Sequence, residues 1–234
     1  LMLSYRMTWL CFVIALLGVG TLSSAAAQSG PSSGTTCSVV ESGVKISVGV
    51  DPGRVAYNHR LSKRELANRV RRSRGKTLSA YAQPLGLTVW SSEYVLNYRP
   101  QVAQLGARKY CARIDTVRLD LIIKNMDVYV VREYPRGSCQ YAAVLAHEHD
   151  HVDVARSVIT RYRGHFEAQI RAVADRLQPV IATSAARAAK GVYRQFDRVV
   201  NPLFKQMVRE MTRLNNAIDA PRSYQKLFSQ CSRW

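Results

Sequence analysis

Residues 141–159 read Y-A-A-V-L-A-H-E-H-D-H-V-D-V-A-R-S-V-I, and their centre forms the pattern H-E-x-x-H. On a helix, His147 and His151 project from one face about one turn apart, so both imidazoles can reach a single metal ion. Glu148 lies close enough on the same helix to hold and deprotonate a metal-bound water. The stretch therefore predicts a zinc site with His147 and His151 as ligands and Glu148 as the general base.

The surrounding residues support a helix whose histidine pair faces the protein core. Val144, Val154 and Val158 fall in the same angular sector as His147 and His151. His149 and Asp153 fall on the opposite side, also four residues apart. We interpret His149 and Asp153 as a local supporting pair and not as a second metal site. A histidine-rich helix without a metal is the simpler alternative.

The segment A-H-E-H-D-H-V-D-V-A resembles the signature of a bacterial family of predicted secreted zinc-dependent proteases, a domain of unknown function. Members of that family typically read H-E-Q-G-H-[FV]-D-I-A. Four positions match this pattern: His147, Glu148, His151 and Asp153. His149 and Asp150 differ from it, at the two variable positions. The resemblance extends from about Val44 to about Asp175. It implies a zinc-binding, gluzincin-like peptidase domain.

A catalytic zinc needs a third protein ligand, and the sequence offers several candidates. If the chain reverses at Pro179 to form a helical hairpin, Glu210 returns level with the histidine pair. We therefore predict Glu210 as the third ligand. Glu167 and His165 are the alternatives, although His165 lies about 21 Å beyond His151 on a continuous helix.

Alternating apolar residues predict several strands before the metal-binding helix. One strand is predicted over 44–50, and Ser62 with Glu65 forms a capping box that predicts a short helix to about Ser73. Further strands are predicted over 87–99, 112–124 and 128–134. The last two are expected to form a hairpin whose turn lies at residues 125–127.

The remaining sequence is predominantly helical. The metal-binding helix is predicted to run to about Leu177, and two further helices to be separated at Asn201-Pro202. We therefore expect an α+β fold in which a small, mostly antiparallel sheet packs on the long H-E-x-x-H helix. A helical C-terminal part over about 180–234 completes it.

The N-terminal residues are typical of a secretory signal. Arg6 precedes an apolar run over 9–22, and Ala25-Ala26-Ala27 provides a small-residue cleavage site. We predict a signal peptide over 1–27, a flexible Gly/Ser-rich linker over 28–36 and a single domain over 37–234. The protein is then expected to be periplasmic or secreted, without a stable membrane span after cleavage.

Four cysteines remain after the signal segment, an even number that suits an oxidising compartment. Cys111 and Cys139 are equidistant from Asn125, the residue expected in the hairpin turn. We therefore predict a Cys111–Cys139 disulfide, which leaves Cys37–Cys231 as the second bridge.

The chain has a formal net charge of +18, which favours anionic partners or provides a basic solvated surface. No nucleic-acid-binding signature accompanies the charge, so a specific nucleic-acid partner is not expected. The leading hypothesis is an exported zinc peptidase acting on peptides or proteins. The alternatives are a non-catalytic envelope protein that binds anionic polymers, with a structural or vestigial metal site, and a zinc amidase acting on cell-wall peptides.

Overall fold

The computed structural model describes residue 37 and residues 43–74 and 83–234. The predicted signal peptide and linker lie outside the described residues. Within them the chain forms five strands and four helices. In chain order they are β1 (Lys45–Asp51), β2 (Val55–Asn58), α1 (Lys63–Arg74), β3 (Gly86–Gly106), β4 (Lys109–Val130), α2 (Cys139–Ala174), β5 (Val180–Ala182), α3 (Ala185–Ile218) and α4 (Pro221–Ser229).

The long strand β4 is the centre of a mixed sheet. β3 pairs with it antiparallel along nearly its whole length. The three short strands share the other edge of β4: β5 is antiparallel, whereas β1 and β2 are parallel to β4. The α+β fold class is confirmed, but the expected mostly antiparallel sheet is wrong. The parallel strands are β1 and β2. They precede the β3–β4 hairpin in the chain and run in the same direction as β4.

The predicted hairpin turn at residues 125–127 is a bulge within β4. Asn125 has a positive φ of 52°. The register with β3 shifts there by one residue, between the pairs Val89–Asp127 and Ser91–Lys124. A bulge inserts one residue and twists the strand without reversing it. The reversal lies instead between β3 and β4, after Gly106.

Helices α2 and α3 pack together against one face of the sheet. Alternate residues of β4, including Leu119 and Leu121, are fully buried beneath them. The buried stripe of α3 runs through Phe196, Val200 and Phe204, and α3 continues across Pro202 without the expected break. Packing of this stripe offsets the backbone hydrogen bond that proline removes. Among the described residues, no helix is long and apolar enough to cross a membrane.

Helix α1 covers the opposite face at one end of the sheet. Its Leu66 and Val70 pack with Leu87 of β3 and Tyr129 of β4. The predicted capping box is confirmed, since Glu65 accepts a hydrogen bond from the backbone N–H of Ser62 at 2.7 Å.

Two disulfides join Cys37 to Cys111 and Cys139 to Cys231, each with a Cα–Cα distance of 5.9 Å. The predicted Cys111–Cys139 and Cys37–Cys231 bridges are therefore wrong. Because β4 does not turn at Asn125, Cys111 lies near its beginning and Cys139 beyond its end. The Cys139–Cys231 bridge ties the segment after α4 to the start of α2.

Candidate metal centre

Helix α2 carries the H-E-x-x-H residues into the interior. Ser138 caps the helix by accepting a hydrogen bond from the backbone N–H of Tyr141. Glu148 is buried to 4% exposure beside Thr88 of β3, and His151 to 1% exposure beside Asn215 of α3. The His147 side chain is 10% exposed, so one imidazole remains accessible from solvent.

Asp219, directly after α3, completes a group of three metal-binding side chains. Its Oδ1 lies 3.4 Å from Nε2 of His147 and 3.3 Å from Nε2 of His151. One donor atom from each of the three residues lies within 4.8 Å of the others. Two imidazoles and a carboxylate are a donor set that suits a divalent transition metal, and the group could hold one.

Asn215 fixes the orientation of the His151 ring from behind. Its Oδ1 accepts a hydrogen bond of 2.7 Å from Nδ1–H of His151, and its Nδ2 donates to the Met211 carbonyl at 2.8 Å. The second bond determines which end of the amide faces the imidazole. With Nδ1 engaged by Asn215, Nε2 is the ring atom that remains to bind a metal ion beside Asp219. Metal-binding histidines are oriented in this way by a partner on their other nitrogen.

Glu148 occupies a tight space between α2 and β3. Its Oε2 accepts a hydrogen bond of 2.8 Å from the Thr88 hydroxyl. Gly86 allows the close approach, because a Cβ there would lie 2.8 Å from Cγ of Glu148 and 2.7 Å from Cγ1 of Val144. Burial raises the pKa of the Glu148 carboxyl despite the nearby imidazoles and hydroxyl. A desolvated carboxylate of this kind is a stronger base than an exposed one.

The carboxylate and imidazoles also perturb one another. Burial alone would raise the pKa of Asp219, but hydrogen bonds from the two histidines outweigh it and hold that pKa well below its usual range. Burial lowers the pKa of His147, yet the hydrogen bond with Asp219 and the charge of Glu148 give a net increase. Protons and a metal ion would therefore compete for the same nitrogen atoms.

Tyr224 of α4 lies at the rim of the centre. Its hydroxyl donates to Oδ1 of Asp219 at 3.2 Å, and its ring lies 5.5 Å from that of His147, centroid to centroid. Helix α4 thus covers one side of the three donors.

Glu210, predicted as the third ligand, lies elsewhere. Its carboxylate accepts hydrogen bonds from Tyr162 and from an arginine of α2. The hairpin register explains the displacement. The midpoint between the contacting positions 151 and 215 is position 183, not the expected 179, because β5 is inserted before the reversal. The alternatives are also outside the group: His165 is exposed, and Glu167 forms an ion pair with Arg171 at 3.2 Å.

The expected supporting pair of His149 and Asp153 does not form. His149 is hydrogen-bonded to the Tyr57 hydroxyl at 3.0 Å, and Asp153 is exposed. Asn215 and Thr88 contact the motif residues instead. A signal for Asn215 was present in the sequence, since it is a polar residue at a position that continues the buried apolar stripe of α3.

Comparisons with protein-family models, with curated proteins and with solved structures found no match. Function is therefore inferred from the geometry of these residues.

Proposed function

We propose that the protein is an exported zinc-dependent peptidase that hydrolyses peptide bonds with a zinc-activated water. The observation that carries this proposal is the convergence of Nε2 of His147, Nε2 of His151 and Oδ1 of Asp219 beside the buried Glu148. Three protein ligands leave the fourth position of a tetrahedral ion for water or substrate, as catalytic zinc sites require.

The spacing of the donors supports zinc. Atoms bound at about 2.0–2.1 Å to a tetrahedral ion lie about 3.3–3.4 Å from one another. Asp219 Oδ1 lies at these distances from both imidazole nitrogens, 3.4 and 3.3 Å. A direct hydrogen bond between N–H and O is usually shorter, near 2.9–3.0 Å. Both distances are compatible with donors arranged around an ion, which supports the proposal.

Each residue has a separate role in this proposal. His147, His151 and Asp219 would hold zinc, which when bound polarises the scissile carbonyl and lowers the pKa of a coordinated water to about 7. Glu148 accepts the proton of the attacking water at its carboxylate and returns it to the leaving amine. The Thr88 hydroxyl holds Oε2 and thereby positions the Glu148 carboxylate.

The substrate is proposed to bind as an extended segment along β3. β3 pairs with β4 on one edge, and no other described strand occupies its second edge. Thr88 joins the start of this strand to Glu148. A peptide added to that edge would gain main-chain hydrogen bonds and lie beside the general base.

The proposal is tested by measuring metal content and hydrolysis in the same preparations. Elemental analysis of the purified protein should find zinc, and a fluorescence-quenched peptide library should be cleaved. In Glu148→Gln, zinc should remain while kcat/KM falls by about 10²–10⁴, because only the base is lost. Asp150→Asn is the matched control, since Asp150 is exposed on the same helix.

Two results would contradict the peptidase. One is near wild-type turnover in Glu148→Gln. The other is a zinc-loaded wild-type protein that cleaves no member of the library, which would favour the non-catalytic polymer-binding alternative.

A further inference from the structure

The exposed face of α3 carries a continuous row of basic side chains. At 100° per residue, seven of them fall within a sector of about 140°. All seven are exposed. This row, called the α3 basic row below, consists of Arg187, Lys190, Arg194, Arg198, Lys205, Arg209 and Arg213.

The positive charge of the row is not neutralised by the protein. None of the seven side chains forms an ion pair within the described part of the chain. The two acidic residues of α3 fall outside this sector, Asp197 just beyond its edge, and both are hydrogen-bonded to tyrosines. Asp197 accepts a hydrogen bond from Tyr94, and Glu210 accepts one from Tyr162. The charge is therefore available to a partner.

The row is held in one orientation. From Arg187 to Arg213 it extends over about 39 Å, and side chains four residues apart are separated by about 6 Å along the axis. The opposite face of α3 is buried in the core through Phe196, Phe204 and Met207. Because the helix cannot rotate, all seven cations face solvent together.

We infer that the α3 basic row is a docking surface for a linear phosphodiester polymer. Five of the seven residues are arginines, whose planar guanidinium binds phosphate oxygens in a bidentate manner. A narrow row presents its charges along one chain, as a linear polyanion does. An anionic bilayer fits less well, because the apolar face of α3 is buried and none of the exposed large hydrophobic residues lies on α3. This inference does not depend on the metal centre.

The test measures binding of a fluorescent oligothymidylate of about 12 nucleotides as a function of salt. Seven phosphate contacts to a single strand predict a slope of about −5 for log K against log[salt]. The triple variant Arg194→Gln, Arg198→Gln, Lys205→Gln should reduce the slope to about −3 and weaken binding about tenfold or more at 50 mM salt. Circular dichroism would verify that both proteins fold.

A charge-matched control removes three cations from another exposed surface. The variant Arg64→Gln, Arg71→Gln, Arg72→Gln changes exposed residues of α1 and should keep the wild-type slope. Equal losses in both triple variants would show that net charge alone binds the polymer and would overturn the inference. Equally tight binding of poly-glutamate, or binding of anionic lipid vesicles without binding of the oligonucleotide, would overturn the assignment to a phosphodiester chain.

Discussion

Replacing Asn215 with leucine tests the tautomer control at the metal centre. The Asn215 and His151 side chains are almost fully buried, and their hydrogen bond is 2.7 Å long. Leucine keeps a similar volume but removes the acceptor, so Nδ1–H of His151 is left without a partner away from water. An unsatisfied buried donor costs about 1–3 kcal/mol, and loss of an orienting partner typically lowers metal affinity about 10–100-fold.

Zinc affinity is measured by competition with a fluorescent chelator, and the imidazole tautomer by nitrogen–proton NMR correlation. We expect zinc to bind Asn215→Leu about 10–100-fold more weakly, with loss of the single Nδ1–H tautomer. Asn216→Leu is the matched control, because Asn216 is the next residue in the chain and its side chain is exposed. If Asn215→Leu folds cooperatively and binds zinc as tightly as the control, Asn215 does not position His151.

Two further perturbations address the packing and the charge of the centre. Gly86→Ala should lower the free energy of unfolding by about 1–3 kcal/mol, because its methyl group would overlap the Glu148 side chain. It should also reduce the proposed hydrolysis. Gly164→Ala, where nothing lies within 4 Å, should be neutral or stabilising. Urea unfolding that gives both variants equal stability would contradict this packing. In the zinc-free protein, the low pKa of Asp219 means that the unfolded chain binds its proton at higher pH than the folded chain does. Its contribution to stability is therefore present above about pH 4 and is lost as the pH falls. The free energy of unfolding of Asp219→Asn should fall less steeply with decreasing pH than that of the exposed-site control Asp153→Asn. Identical profiles of unfolding free energy against pH in the two variants would refute the charge coupling.

Helices and strands whose apolar residues recur at a regular spacing were predictable from the sequence. The apolar positions around His147 and His151 predicted a helix, and the alternating residues of 44–50 predicted a strand that the structure contains as β1. The prediction of a hairpin turn at Asn125 was wrong because the residues that favour turns are also found in bulges. Local sequence does not distinguish a bulge from a reversal when the strand partner is distant. The disulfide prediction depended on that turn and failed with it.

The candidate site was predictable only where its residues are close in sequence. Three of its residues fall within one helical motif, whereas Asp219 and Asn215 arrive through the packing of α2 against α3. To choose Asp219 over Glu210 from the sequence, one would need to know the register of the α2–α3 hairpin to within one or two helical turns. The three-residue strand β5 sets the register, and so short a strand has no clear sequence signal.

The Cys139–Cys231 bridge has a consequence for the timing of maturation. It spans 92 positions and holds the segment that follows Asp219 against the start of the H-E-x-x-H helix. During synthesis the histidine pair is therefore made well before its third partner, and the bridge can close only later still. The proposed metal centre would therefore be incomplete until α3 and α4 have folded back onto α2.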